Sequence, residues 1–477
     1  MSSENRDNGA GYGLRLREIL HDKEDEYTVE EAIDYIGVGS FQYIMLTILI
    51  VGWTIDTMEI LVLSVLSPEL RCDWNLSLFQ ESSLTTVTFL GMTLFSSSWG
   101  KISDKFGRIV QLRLTATCMF FFGLLCAGAP TYYWILILRT IIGGLIAGLH
   151  QGIPLIPEFV PRSRRGTFVW LLNISYAVGG VFAVGVAWPV IPRWGWRVYL
   201  AICAIPASIF SLLCLWLPET PFYYVSSGRP YKAMSVLDRI SRQNGGPLPP
   251  GSLDVNVVAE RRGEYKELIS TPKLTKMSLI LPFLWFNCSF VLYGAIFLST
   301  SVLRKADPCT GYTNPELKCH DACTRMDDED YLSLFIISFA DVPGIVIGSL
   351  TIDVFGRKPL LVGGALMSSI GSGLLMTCWN SRIFTTICLF VARGAINITF
   401  ITLFAYTPEV YPTRIRGLSL GVCNGTARLG GALTPVVAQV LSAYRPQLAM
   451  FIYAVSAFIS CILCLFLPET KGKPITT

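Results

Sequence analysis

The stretch GWTIDTMEILVLS, Gly52 to Ser64, sets Asp56 and Glu59 three residues apart inside an otherwise apolar run. That spacing puts both acids on one side of a helix, with Gly52 and Leu63 completing the stripe. An acid at the centre of a membrane helix costs roughly 2.5 to 3.5 kcal/mol. Both are therefore expected to face a central cavity rather than lipid. Three kinds of chemistry would justify them there: holding a cationic substrate, taking up and releasing a proton, or pairing with a buried arginine. Arg139, Arg393 and Arg428 are the candidate arginines. Arg428, in TARLGG, sits deepest in its apolar run and suits either an intramembrane acid or an anionic substrate.

Other residues of chemical interest lie in comparable runs. His150, in GLHQGIPLIPE, titrates near neutrality and could relay protons, although a lone histidine also serves as a hydrogen-bonding packer. Asp341, in FADVPG, stands beside a Pro-Gly pair that frees backbone groups and permits a bend, a marker of a cavity wall. Trp53, Tyr293 and Tyr406 could clamp an organic cation or ring, and Asn287 and Asn397 could add hydrogen bonds. The sequons at Asn173, Asn287, Asn397 and Asn424 fall inside apolar runs and are not read as glycosylation sites.

The elements that must position these side chains follow from composition. Of 477 residues, 52% are hydrophobic and 15% charged, where a soluble protein carries about a quarter charged. Apolar runs of span length alternate with short polar punctuation. Twelve spans are expected, at 41–66, 78–99, 109–128, 131–154, 167–189, 196–217, 277–302, 331–351, 359–379, 382–407, 417–441 and 446–467. The expected fold is an all-α membrane protein of two six-helix bundles. Residues 1–40 form an N-terminal tail, 41–217 the first bundle, 218–276 a linker, 277–467 the second bundle and 468–477 a C-terminal tail. With both termini cytosolic, roughly 25 Lys/Arg fall inside and about 9 outside, a strong positive-inside bias. In the tail, YTVEEAIDYIG carries apolar residues at helical spacing, the pattern of a helix on the membrane surface or a short solvated helix. A net charge of +4, no phosphate-binding loop and no metal-ligand spacing argue against nucleic-acid partners and soluble enzymology. No cofactor or metal is expected.

The two halves repeat each other. GKISDKFGR, Gly100 to Arg108, is matched by GSLTIDVFGRK, Gly348 to Lys358. PEFVPRSRRG, from Pro157, is matched by PEVYPTRIRG, from Pro408, and the two Pro-Glu-Thr motifs begin at Pro218 and Pro468. The pairs lie roughly 250 residues apart, the mark of an internally duplicated transporter built around a midplane site. The first-half turn places Asp104 near Lys105 and Arg108. The second places Asp353 near Arg357 and Lys358, with Ser349 where Gly100 stands in the first. Glu158, Glu219, Glu409 and Glu469 occur at the same membrane face among Arg162, Arg165, Arg414 and Arg416, and are read as gate latches between moving bundles.

These motifs resemble those of the major facilitator superfamily, nearest its sugar-porter and organic-ion branches. DTMEILVLSVLSPELRCDW, YTPEVYPTRIRGLSLG, NGTARLGGALTPVVAQV and a three-cysteine loop are similar to the synaptic vesicle 2-related (SVOP-like) branch. The resemblance implies alternating access. It also implies that Asp104 caps the start of span eleven across the two halves when the cytosolic side is closed. Arg139 and Arg393, at matching places in the halves, would then belong to inner or central gate networks.

On the opposite face, Cys72, Cys309, Cys319 and Cys323 permit two disulfides in three connectivities, with a zinc site as the minor alternative. The expectation is a monomeric, multi-pass transporter in a vesicle or plasma membrane, moving a small organic ion and coupled to protons through Glu59 with Asp56. An uncoupled organic-cation facilitator and a non-transporting vesicle receptor are the alternatives.

Overall fold

The computed structural model describes residues 26–152, 155–254, 264–304, 325–377, 379 and 381–471. Twelve spans cross the molecule in two halves. Span one is Ser40–Trp74, span two Leu78–Phe106, span three Arg108–Ala127 and span four Tyr132–Leu149. Spans five and six share Ile174–Leu213 and separate at Gly195, whose φ of 78° breaks the helical path. Span seven is Pro272–Leu303. Span eight joins Asp328–Phe339 to Asp341–Phe355, span nine is Arg357–Leu374 and span ten Arg382–Val410. Span eleven is Thr413–Pro435, continued by a widened turn at Val436–Leu441, and span twelve is Pro446–Leu465. Helices are the natural outcome of these apolar runs, because a helix satisfies its own backbone polar groups where no water can.

The spans are held to length by their ends. Span one runs beyond the expected 66 to Trp74 and stops at Asn75, which adopts the left-handed conformation with φ 51°. Ser77 then opens span two with a reciprocal cap: its hydroxyl accepts from Gln80 N at 3.2 Å, and Gln80 Oε1 accepts from Ser77 N at 2.9 Å.

Among the described residues, nine helices are long and apolar enough to cross a membrane, and one of these, Arg162–Leu213, contains spans five and six. Spans two and eleven fall outside that set because their faces are rich in Ser, Thr, Gly and Asn. The fold explains this, since the two pack on each other across the halves. Thr86 Oγ1 donates to Ala432 O at 3.1 Å, and Arg428 Nη1 donates to Met92 O at 2.7 Å. A Cβ on Gly431 would strike the Phe89 ring.

The amphipathic tail segment turns its apolar face onto protein. It forms a helix, Val29–Ile36, whose apolar residues Val29, Ala32, Ile33 and Ile36 are buried against the linker helix Pro230–Asn244. Glu26–Tyr27 pairs in parallel with Ser252–Leu253 beside it. The linker thus supplies an apolar partner in place of the two expected settings, the membrane surface or solvent.

Candidate functional site

Span one carries the chemistry, and its rotation decides which partner each acid meets. Trp53, Asp56 and Ile60 line a cavity of about 50 Å³ between the halves. Glu59 does not border it. Three residues on a helix differ by about 60° in direction, and at this depth that angle crosses from the cavity to span four. There the Glu59 carboxylate meets Arg139, Nη1 to Oε2 2.7 Å, both buried. The single stripe expected for Gly52, Asp56, Glu59 and Leu63 is therefore split. Gly52 lies against span six, where a Cβ would strike Phe210.

The first half supplies Trp53, Asp56, Phe89, Met92, His150, Asn173 and Tyr176 to the cavity wall. The second half supplies Ser289, Tyr293, Asn397, Phe400, Phe404, Asn424 and Arg428 among others. His150 Nδ1 is 3.1 Å from the Ile146 carbonyl, so this nitrogen carries hydrogen and donates, leaving Nε2 facing Asp56 Oδ2 at 3.7 Å. The His150 ring also leans on Trp53, with centroids 5.6 Å apart, and Phe89 packs on Tyr293 at 4.8 Å. Among the described residues, four buried polar atoms of this wall have no hydrogen-bond partner: Asp56 Oδ1, Tyr176 Oη, Ser289 Oγ and Asn397 Oδ1. An unsatisfied buried polar group costs about 1 to 3 kcal/mol, so a cluster of them around one cavity points to a polar occupant.

Two expected site residues lie elsewhere. Asp341 is fully buried in an ion pair with Arg393, Oδ2 to Nη2 2.7 Å, and accepts from Asn397 Nδ2 at 3.0 Å. That pair abuts the first half, because a Cβ on Gly180 of span five would come within 3.3 Å of Arg393 Nη2. Tyr406 is buried away from the cavity and donates to the Pro468 carbonyl at 2.8 Å. Arg139 and Arg393 stand at matching places in spans four and ten, yet one takes its acid from span one and the other from span eight.

At the face that carries the Val29–Ile36 helix and the linker, the repeated motifs build the same device twice. Glu219 accepts from Arg108 N at 2.9 Å and Ile109 N at 3.1 Å, while Arg108 Nε meets Glu158 at 2.6 Å. Glu469 accepts from Arg357 N at 3.0 Å and Lys358 N at 2.9 Å, while Arg357 Nη2 meets Glu409 at 3.0 Å. Each Pro-Glu-Thr carboxylate caps the first turn of a span, where the helix dipole favours negative charge. Gly107 and Gly356, with φ 102° and 96°, turn the chain into these caps, and a Cβ on either would collide with its glutamate. Burial pushes Glu219 above the usual carboxylate range, against its backbone donors. Glu469 is less buried, so burial is outweighed by its backbone N–H groups and it falls below that range.

These ion pairs lie within one half, where the sequence pointed to latches between halves. Arg165 reaches Glu30 of the tail helix at 2.8 Å, and Arg162 meets Glu30 and Asp34. Arg414 meets Glu267 of the linker at 3.1 Å, and Arg416 Nε and Nη2 have no hydrogen-bond partner. Asp104 is exposed, and the side chain of Asp353 lies outside the described residues. A cleft of about 730 Å³ opens between the halves at this face. Asn173, Ile401 and Phe404 border both the cleft and the central cavity.

The opposite face is tied across the halves, a feature that sequence reading missed. Arg325 reaches Asp73 at 2.7 Å and Glu69 at 3.9 Å, Arg304 reaches Glu81 at 3.9 Å, and Trp188 Nε1 donates to Asp328 at 3.0 Å. Acids near the ends of spans one and two and arginines flanking the cysteine loop were the available signal. Cys72 is disulfide-bonded there, and Cys309, Cys319 and Cys323 lie outside the described residues. No group of three or more metal-ligating side chains occurs among the described residues.

Residues 77–477 match the family model described as "Sugar (and other) transporter". The chain is 38% identical over 461 residues to the synaptic vesicle 2-related protein of Bos taurus, covering 96% of this chain and 84% of that one. It is 33% identical over 506 residues to organic cation/carnitine transporter 7 of Arabidopsis thaliana, covering 96% and 97%. In fold it is similar to the partially occluded, inward-open xylose transporter XylE of E. coli, with TM-score 0.70 at 20% identity over 91% of this chain and 100% of that one.

Proposed function

Because this chain belongs to the sugar (and other) transporter family of the major facilitator superfamily, in its synaptic vesicle 2-related branch, and is an integral multi-pass membrane transporter, we propose that it carries a small organic ion by proton-coupled alternating access. The observation that carries this reading is the position of the Glu59–Arg139 pair, one helical turn from cavity-lining Asp56. Protonation of Glu59 removes the charge that balances Arg139 in a dry site. Span one then relaxes against span four, and Asp56 on the same turn feels the change. Cargo charge and proton charge are thereby read by one helix. The cross-half ties at the far face and the cleft at the near face are the two ends of such a cycle, since each contact exists in only one state and biases the equilibrium toward it.

In this reading the cleft is cytosolic, as the positive-inside bias requires, and the membrane is that of a vesicle, in keeping with the name of the bovine relative. An organic ion agrees with the printed name of the Arabidopsis relative. The test is uptake into proteoliposomes with and without a pH gradient, comparing wild type with Glu59→Gln. Gradient-driven accumulation lost in the variant, with exchange retained, supports coupling through Glu59.

One observation favours a second reading. A carboxylate held 2.7 Å from a buried guanidinium suits a permanent structural pair. In that case the protein is an uncoupled facilitator in which Asp56 alone attracts a cation. Uptake indifferent to the gradient in both proteins selects it.

A further inference from the structure

We propose that the central cavity selects a zwitterion, whose cationic end rests against Asp56 and Trp53 of the first half and whose anionic end rests against Arg428 of the second. The inference rests on reading this cavity as the transport site.

One carboxyl group, Asp56, and one guanidinium, Arg428, line the cavity on opposite halves. Asp56 is 8% exposed and Arg428 7% exposed. His150 Nε2 lies 3.7 Å from Asp56 Oδ2, and among the described residues Asp56 Oδ1 has no hydrogen-bond partner. Among the described residues Arg428 makes one hydrogen bond, to the Met92 carbonyl, and no ion pair within 4.0 Å. Glu59 and Asp341 are removed from this count by their own arginines.

A cargo with a single charge leaves one of these buried groups uncompensated and is repelled by it, because water is scarce there and screening is weak. A cation faces Arg428, and an anion faces Asp56. A molecule with both charges, separated by a short skeleton, satisfies both walls at once. The rest of the lining suits such a molecule: the Trp53 and Tyr293 faces for an alkylated ammonium group, the Phe400 and Phe404 rings for a carbon skeleton, and Tyr176, Ser289 and Asn397 for polar contacts. Since Asp56 and Arg428 belong to different halves, a bridging zwitterion also draws the halves together. Cargo binding and occlusion then become one event.

The experiment uses the full chain in detergent and in proteoliposomes at neutral pH. Three matched series of increasing chain length serve as probes: ω-trimethylammonium carboxylates, their methyl esters, and carboxylates with tert-butyl replacing trimethylammonium. A neutral pentose is the control. Thermal stabilisation reports binding and counterflow reports transport. The expected result is that a zwitterion stabilises and exchanges at least about ten-fold better than its ester or its tert-butyl analogue. Asp56→Asn should erase the preference over the tert-butyl carboxylate, and Arg428→Gln the preference over the ester, with Arg428→Lys restoring the latter in part. Equal response to ester and zwitterion, preference for the pentose, or no stabilisation by any zwitterion overturns the inference. Zwitterion accumulation that ignores a pH gradient supports it while defeating the coupling reading. Zwitterion binding without counterflow supports it while defeating the transport reading.

Discussion

Asp56 and Glu59 stand one turn apart on a single helix yet meet different partners: Asp56 faces the cavity beside His150, and Glu59 closes on Arg139 at 2.7 Å. Two acids that look interchangeable in the chain therefore have separable consequences when altered.

Glu59→Ala leaves Arg139 buried without its ion partner, and removing one member of a buried pair costs about 3 to 5 kcal/mol. A clear drop in melting temperature is expected. Glu59→Gln keeps an acceptor and should lose less. The double change Glu59→Gln with Arg139→Met should recover stability without recovering gradient-driven uptake. Detergent melting curves and uptake on the same preparations check this.

Asp56→Asn should leave the fold nearly unchanged, because Asp56 makes no ion pair with an arginine. Its effect is expected in cargo affinity, as a loss of ligand-induced stabilisation at unaltered basal melting temperature.

The two capping glutamates should answer pH in opposite senses. Glu469 lies below the ordinary carboxylate range, so its stabilisation is present above the unfolded value and is lost as pH falls through the folded one. Glu219 lies above that range through burial, so its ionised form penalises the fold at high pH and the penalty is relieved as pH falls. At neutral pH, Glu469→Gln should melt lower than wild type and Glu219→Gln slightly higher. Both gaps should shrink on acidification. Melting temperatures across pH test the signs.

At the far face, Arg325 is exposed, and exposed pairs contribute about 0 to 1 kcal/mol. Asp73→Asn should therefore shift the balance toward opening on that side by only a few-fold, with salt producing part of the same shift in wild type. The readout is labelling of Ser289→Cys, in the cavity wall, by an impermeant maleimide applied from that side.

The tail helix is a structural clasp. Ile33 is 1% exposed against the linker helix, and Ile33→Ala should cost about 2 to 5 kcal/mol of local stability. The side-chain hydrogen bond from Arg162 holds Glu30 below its ordinary value, so this clasp should loosen only as pH falls through that lowered value. Amide exchange over Val29–Ile36 reports both effects.

Much of the cavity was legible in the chain. Trp53, Asp56, His150, Tyr293 and Arg428 are conspicuous because polar or aromatic groups in apolar runs need a reason. Tyr176 and Ser289 were missed, as their types are ordinary in membrane helices. The amides gave a signal that could have been used: of the four embedded sequon asparagines, Asn173, Asn397 and Asn424 line the cavity, while Asn287 donates to its own helix at Phe283 O.

The sequence by itself determined the helical class, the number of spans and the duplicated motifs. Each span satisfies its backbone internally, so length and apolarity suffice to specify it, and Gly107 and Gly356 announce their turns locally. Tertiary structure alone decided which acid faces the cavity, which arginine neutralises which carboxylate, and that ion pairs cross between the halves at the far face. Helical periodicity fixes angles between side chains on one span, but not the rotation of that span against its neighbours. A 60° turn of span one is invisible in the chain, and it separates an acid open to cargo from one closed on Arg139.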